Sequence, residues 1–313
     1  MPDIVIAEFM DEEAISGGLN GFEVLYDPTL VDRPDDLARA VADARGLIVR
    51  NRTQVRQPLL AAASKLEVVG RLGVGLDNID LEACRARDIA VFPASGANDV
   101  AVAEYVIGTA MMLLRGAYAS TDEVVAGTWP RNKLMGREIS GKTLGLVGFG
   151  AIAKETATRA AALGMRVSAY DPYVKPDSSA WDQPWGRVEP SRLEDLIAAS
   201  DVLSLHVPLT PETRNLIGAE AIARMKADAI LVNAARGGVV DEAAVAEALR
   251  TGRLGGAALD VFEEEPVTAA RGAVFAGCPN LVLTPHIAGV TVESNVRVSW
   301  VTVENVRKHL TGA

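Results

Sequence analysis

The chain has 313 residues, 49% of them hydrophobic and 23% charged, with a formal net charge of −10. That length suits two domains of ordinary size, each with its own core, and the composition is that of a soluble globular protein. The negative balance argues against a general affinity for nucleic acid or anionic membrane, so any bound anion has to be held by local arginines and helix N-termini.

Two cysteines, Cys84 and Cys278, are too few for a disulfide framework or a thiolate metal site. No metal and a reducing, cytoplasmic setting are therefore expected. The N-terminal "MPDIVIAEFMDEE" turns acidic after a short strand and does not read as a signal peptide. The most apolar region, "VAVAEYVIGTAMMLL", carries Glu104 and is too short to span a bilayer.

Short β-rich runs alternate with helical stretches, the pattern of parallel α/β sheets. The first group of strands reads "DIVIAEF", "EVLYD", "GLIVRN", "LEVVGRL" and "IAVFPA", with helices such as "PDDLARAVADA" and "QPLLAAASK" between them. A long helical stretch, "NDVAVAEYVIGTAMMLLRGAYASTDEVVAG", follows. The second group reads "TLGLVGFG", "RVSAYD", "VLSLHVP", "AILVNAA", "GAALDVF" and "LVLTPH", and "TVESNVRVSWVTVENVRKHLTGA" reads as a last helix. The expected fold class is α/β, with two Rossmann- or flavodoxin-like doubly wound parallel-sheet domains and a cleft between them. The helix from Asn98 to about Gly116 is apolar around its surface, which predicts packing against a second copy in a homodimer, or burial between the domains.

"TLGLVGFGAIAKE" is a strand, then Gly148-Phe149-Gly150-Ala151-Ile152-Ala153, then a helix. The first glycine permits a tight turn and the second lets the backbone approach a pyrophosphate; Ala153 stands as the small third residue that allows close helix–strand packing. The next strand ends in Asp171, where a carboxylate binds the adenine ribose hydroxyls and repels a 2′-phosphate, and no arginine follows. NAD is expected rather than NADP. An ordinary turn beside a surface aspartate is the plain alternative.

Of three histidines, His309 lies in the polar last helix beside Lys308, while His206 and His286 each follow a strand. Arg236 also stands past a strand, and Asp260 and Glu265 follow another. Arg, Glu and His at the ends of different parallel strands make a workable hydride-transfer site. Arg236 would hold an α-carboxylate and polarise the neighbouring carbonyl. His286 would exchange a proton with the substrate oxygen, and Glu265 would orient the ring and raise its pKa. Taken alone, "EEE" around Glu265 reads as a solvated acidic run.

"GLVGFGAIA", "HVPLTPETRNLI", "LVNAARGGVVDEAAVAEAL", "ALDVFEEEP" and "TPHIAG" together resemble the signatures of the D-isomer-specific 2-hydroxyacid dehydrogenases, from "RLGVGLDNID" to the last helix. The resemblance implies that Arg236, Glu265 and His286 are the catalytic trio. It implies an NAD site made by Gly148, Gly150, Ala151, Ile152, Asp171, His206, Pro208, Thr213, Ala234, Asp260 and Gly289, with Asp260 at the nicotinamide end. It further implies that Val74 and Gly75 offer backbone N–H groups to the substrate carboxylate, and Asn98 is a cleft candidate whose alternative is a helix cap. Residues 1–98 and 291–313 are then the substrate-binding domain and 99–290 the NAD-binding domain. The chain ends 27 residues after His286, so no C-terminal regulatory domain is expected.

"LIVRNRT" leaves an apolar strand through Arg50 and Arg52. A monocarboxylate needs nothing beyond Arg236 and the glycine-rich amides. Two more cations therefore predict a 2-hydroxy acid with a second anionic group, of the 3-phosphoglycerate or 3-sulfolactate type. The stretch resembles the "R-S-R-T" segment of bacterial 3-phosphoglycerate dehydrogenases, with Asn51 in place of the serine. The alternatives are a hydroxypyruvate or glyoxylate reductase whose arginines are solvated, a formate-type enzyme, which Glu265 argues against, and an NAD-sensing corepressor.

Overall fold

The structure, a computed structural model, describes residues 1–116 and 120–312. By internal packing the chain forms two units, Met1–Asn98 with Val290–Ala313, and Asp99–Gly289. Val290, expected with the NAD-binding residues, groups instead with the first unit.

The first unit carries β1 (Ile4–Ile6), β2 (Val24–Tyr26), β3 (Gly46–Val49), β4 (Val68–Arg71) and β5 (Ala90–Pro93), with α1 (Glu12–Gly18), α2 (Pro34–Ala40), α3 (Gln57–Ala62) and α4 (Leu81–Arg85). All pairs are parallel, in the order β2-β1-β3-β4-β5. The strands are apolar on both faces because both are covered. Val5, Leu47, Val49 and Val69 enter one core cluster, and Ile4, Ile6, Ile48 and Val68 the other. Asp11 and Asp80 cap α1 and α4 by accepting from Ala14 N and Ala83 N, each at 2.9 Å. Strand order reverses between β1 and β3, so the loops after Ile6 and Val49 lie where such sheets bind ligands.

The second unit begins with α5 (Asp99–Arg115) and α6 (Thr121–Val125), then β6 (Thr143–Val147), α7 (Ala151–Ala162) and β7 (Arg166–Tyr170). It continues through the short strands β8 (Asp182–Gln183), β9 (Gly186–Arg187) and β10 (Glu189–Pro190), then α8 (Leu193–Ala199), β11 (Val202–Leu205), α9 (Ala219–Arg224) and β12 (Ile230–Asn233). It closes with α10 (Glu242–Arg250), β13 (Gly256–Leu259), α11 (Ala269–Gly272) and β14 (Leu281–Leu283). The parallel sheet runs β10-β7-β6-β11-β12-β13-β14 and reverses between β6 and β11, the Rossmann order with an added edge strand. Residues of α5 and α7 bury Leu144, Leu146, Ile230 and Val232 on one face. Ile197, Ile222 and Val245, from α8, α9 and α10, bury Leu203, Leu205 and Leu231 on the other.

The chain returns to the first unit as α12 (Val292–Thr311). Thr291 and Ser294 make a reciprocal capping box at its start, and Gly312 ends it in the left-handed conformation. No helix among the described residues is long and apolar enough to cross a membrane.

Two sequence expectations change. The helical stretch from Asn98 onward is broken: α5 stops at Arg115 and Gly116 takes φ +60, a left-handed end that L side chains avoid. Residues 117–119 of that stretch lie outside the described residues. Much of α5 is buried within its own unit, where Val102, Val106, Ile107, Ala110, Leu113 and Leu114 are core. Strands β8 to β10 went unseen because two residues show no period. Pro190 is tolerated because β10 is an edge strand.

Candidate active site

At the reversal point of the second unit, β6 delivers the chain into Gly148, which takes φ +91. A Cβ there would stand 2.5 Å from His206 O, so the turn admits only glycine. Gly150 is the N-cap of α7 and offers no side-chain cap, and a Cβ on it would meet nothing within 4 Å. The first amides of a twelve-residue helix therefore open onto space, the cradle a pyrophosphate fits. Ala151 is exposed and Ile152 half-buried, while Ala153 is fully buried beneath the turn. Phe149 stacks on buried Trp181, ring centroids 4.8 Å apart, which anchors the turn to the core. Asp171 accepts from Phe149 N and Tyr173 N, each at 2.9 Å. It thus braces the glycine turn and keeps further acceptor capacity for a ribose diol.

His206 turns its ring back onto Ser204, Nε2 lying 3.0 Å from Oγ. Burial of the ring pushes its pKa down to about 4, so it is neutral at pH 7. The unfolded chain binds a proton more readily between pH 6.5 and about 4, so His206 costs stability as pH falls through that window. Replacing His206 with glutamine is expected to flatten this part of the acid limb, by up to about 3 kcal/mol, in thermal melts across pH 4–7. Further along the loop, the Thr213 hydroxyl donates to Pro208 O at 2.6 Å and accepts from Thr210 N at 2.7 Å.

At the other strand ends of the same unit, His286 Nδ1 lies 2.7 Å from Glu265 Oε2. Glu265 Oε1 accepts from Phe262 N at 3.0 Å. Partial burial alone would raise the Glu265 pKa. The hydrogen bonds from His286 and Phe262 N, with the charges of His286 and Arg236, outweigh burial and leave it lowered. His286 takes φ +57, unusual for a residue with a ring, and such strain persists where surroundings over-determine it.

Arg236 sits in a loop shaped by buried Asn233, which donates to Arg236 O at 3.0 Å and accepts from Ala235 N at 3.1 Å. Next to it, a Cβ on Gly237 would stand 1.7 Å from Phe262 O. The glycine lets the Arg236 loop close onto the loop bearing Glu265. Asp260 is buried at the end of β13, and Ala234 packs half-buried against the core. Gly289 follows Ala288, whose amide donates to Asp260 Oδ2 at 2.7 Å.

In the first unit, Arg50 and Arg52 diverge. The Arg50 side chain donates to Asn295 Oδ1 and lies over the Phe9 ring, 5.7 Å from its centroid. Burial pushes its pKa down, opposed by the charge of Glu8. Arg52 is exposed and pairs with Asp32. Val74 and Gly75 lie in the loop after β4, where nothing among the described residues accepts from their amides. The Asn98 Oδ1 is buried without a hydrogen-bond partner among the described residues, so this oxygen does not cap α5.

Two residues escaped the sequence reading. Buried Glu8, just past β1, accepts from Arg50 N at 2.8 Å, Thr53 N at 3.0 Å and Arg52 N at 3.3 Å. Buried Asn78 donates to Arg50 O at 3.0 Å and Thr53 O at 2.7 Å. Together they fasten the loop carrying both arginines. The available signal was a carboxylate directly after a fully buried strand, where charge is absent unless hydrogen-bonded.

The sequence signature described as D-isomer specific 2-hydroxyacid dehydrogenase, NAD binding domain, matches residues 107–288. The chain is 56% identical over 310 residues to an (S)-sulfolactate dehydrogenase of Chromohalobacter salexigens, covering 99% of each protein. It is 41% identical over 314 residues to a D-3-phosphoglycerate dehydrogenase of Mycobacterium tuberculosis, covering 100% of this chain and 57% of that protein. It therefore spans little more than half of that relative's length. A D-lactate dehydrogenase of Aquifex aeolicus, solved with NAD and lactic acid, matches with TM-score 0.84 at 27% identity, over 99% of this chain and 96% of that one.

Proposed function

The chain belongs to the D-isomer-specific 2-hydroxyacid dehydrogenases and is an NAD-dependent oxidoreductase; on that premise we propose that its substrate carries a second anionic group, a sulfonate of the 3-sulfolactate type. The observation that carries the proposal is the Arg50–Thr53 loop, where two arginines leave one strand end and a buried carboxylate fixes the backbone between them. Glu8 and Asp32 balance Arg50 and Arg52, so the loop has little net charge. That suits a monoanionic sulfonate better than a phosphate dianion, and the resemblance to a sulfolactate dehydrogenase points the same way.

Stereochemistry is consistent with this assignment. In sulfolactate the sulfur-bearing carbon outranks the carboxyl carbon, so the D arrangement of lactate carries the label S. The reaction is (S)-sulfolactate + NAD⁺ ⇌ 3-sulfopyruvate + NADH + H⁺.

NAD supplies the hydride acceptor and donor when bound. Gly148, Gly150, Ala151 and Ile152 would hold its pyrophosphate and Asp171 its ribose, with His206, Pro208, Thr213, Ala234 and Gly289 along the same edge. Asp260 Oδ2 accepts from Ala288 N, and Asp260 would stand at the nicotinamide end. Arg236 would hold the α-carboxylate, and Val74, Gly75 and Asn98 of the first unit are further candidates to bind the acid. Glu265 holds the Nδ1 proton of His286, and Nε2 takes the hydroxyl proton in oxidation or returns it in reduction. The first unit thus recognises the acid and the second unit binds NAD and carries out the chemistry. The enzyme is a cytoplasmic homodimer. Exposed Met111, Val125, Trp129 and Met135 support an interface beyond the buried face of α5.

The test is steady-state reduction by NADH of 3-sulfopyruvate, 3-phosphohydroxypyruvate and hydroxypyruvate by wild type, Arg50→Ala and Arg52→Ala. The expected result is that Arg50→Ala lowers kcat/KM for sulfopyruvate at least about tenfold while hydroxypyruvate changes less than about twofold. Equal losses on all three acids would overturn the second-anion reading. The Arg52–Asp32 pair favours one alternative, a hydroxypyruvate reductase, which would turn over hydroxypyruvate best in wild type.

A further inference from the structure

A hydrogen-bond chain that begins on helix α5 leads to the loop carrying His286. Asp260 is buried, and its Oδ1 accepts from the Thr284 hydroxyl at 2.6 Å and from Ile287 N at 2.8 Å. Its Oδ2 accepts from Ala288 N at 2.7 Å, and its backbone carbonyl accepts from His286 N at 2.8 Å. One residue therefore grips the segment on both sides of the left-handed histidine. Asp260 is itself fixed to β12, donating N–H to Asn233 O at 2.9 Å.

The Thr284 hydroxyl has one hydrogen, and it goes to Asp260. The Tyr105 hydroxyl, 2.6 Å from Thr284 Oγ1, must then be the donor to it. The chain reads Tyr105 O–H to Thr284 O–H to the Asp260 carboxylate, each bond polarising the next. Burial pushes the Tyr105 pKa up to about 12, so it stays a donor throughout the working pH range. Tyr105 rides on α5, the seventeen-residue helix packed against the sheet of this unit.

We propose that Tyr105 and Thr284 are positioning residues for the proton-transfer histidine, acting through Asp260 to set the place of the His286 imidazole. The inference rests on His286 being the acid/base group. Proton and hydride transfer tolerate little misplacement, about a hundredfold in rate for 1 Å. A weakened chain would therefore reach turnover before it reached binding.

The experiment compares Tyr105→Phe, Thr284→Val and Thr284→Ser with wild type. It measures kcat and KM for the 2-oxo acid, the NADH dissociation constant by fluorescence titration of the apoprotein, and Tm. Tyr105→Phe and Thr284→Val are expected to lower kcat about tenfold, with KM and the NADH constant within about threefold. Thr284→Ser, which keeps the hydroxyl, is expected to stay within about threefold of wild-type kcat. Unchanged kcat in both Tyr105→Phe and Thr284→Val overturns the proposal. So does a Thr284→Ser variant as slow as Thr284→Val, which would make the role one of packing. A His286→Ala control separates the two levels: an active control sinks the acid/base reading beneath, and an inactive one beside unaffected Tyr105→Phe and Thr284→Val sinks only the chain.

Discussion

Replacing His286 with alanine is expected to lower kcat for 2-oxo acid reduction by at least about a hundredfold, with NADH affinity little changed. The reason lies in which nitrogen is engaged. Nδ1 faces Glu265 Oε2 at 2.7 Å, and Glu265 is held below its ordinary pKa, so it is an ionised acceptor at neutral pH. An ionised carboxylate only accepts, so Nδ1 carries a hydrogen in both protonation states of the ring. On the proposed reading, Nε2 is then the atom that gains and loses the proton. Reduction needs it protonated and oxidation needs it bare, so the two directions should show opposite pH limbs. Single-turnover kinetics in both directions would check this, and a loss below about threefold in the alanine variant would remove His286 from the chemistry.

Gly237→Ala is expected to be the most damaging single methyl group in the second unit. Its Cβ would fall 1.7 Å from Phe262 O and 2.7 Å from Glu263 N, and backbone does not yield as a flexible side chain does. The two loops must separate, which costs at least about 3 kcal/mol. For a unit of this size that lowers Tm by roughly 6–12 °C. The separation also draws Arg236 away from Glu265, so kcat/KM should fall further than thermal destabilisation explains. Differential scanning fluorimetry paired with kinetics at 25 °C tests both halves. A variant with wild-type Tm would show that the loops do not need their close approach.

Much of this was legible in the sequence because it repeats physics that is local. The eleven main strands are short apolar runs bounded by turns, and each appears as a strand. Gly148, Gly150 and Asp171 announce themselves by spacing, since a βα turn and the next strand end lie at fixed distances along the chain. The pairing of Glu265 with His286 could be argued because both follow parallel strands, and parallel strands deliver their ends to one edge. What was hidden is non-local. Nothing in "AEYVIG" says that Tyr105 donates to a threonine 179 residues away, and nothing in "IVIAEF" says that Glu8 grips amides more than forty residues on. The orientation of Arg52 was equally illegible, because its partner Asp32 ends a separate 3-10 turn twenty residues earlier.

The carboxylates beside Arg50 and Arg52 also bear on how fast an acid can arrive. Each cation has an anion nearby, so from a distance the loop presents a dipole, whose potential fades much faster than that of a bare charge. The whole molecule carries −10 and repels anions. Substrate therefore gains no electrostatic guidance on approach, and its association should be ordinary diffusion with little acceleration at low ionic strength. On the proposed reading, selectivity for a second anion would be exercised at contact, within a few ångströms, after the molecule has already come in.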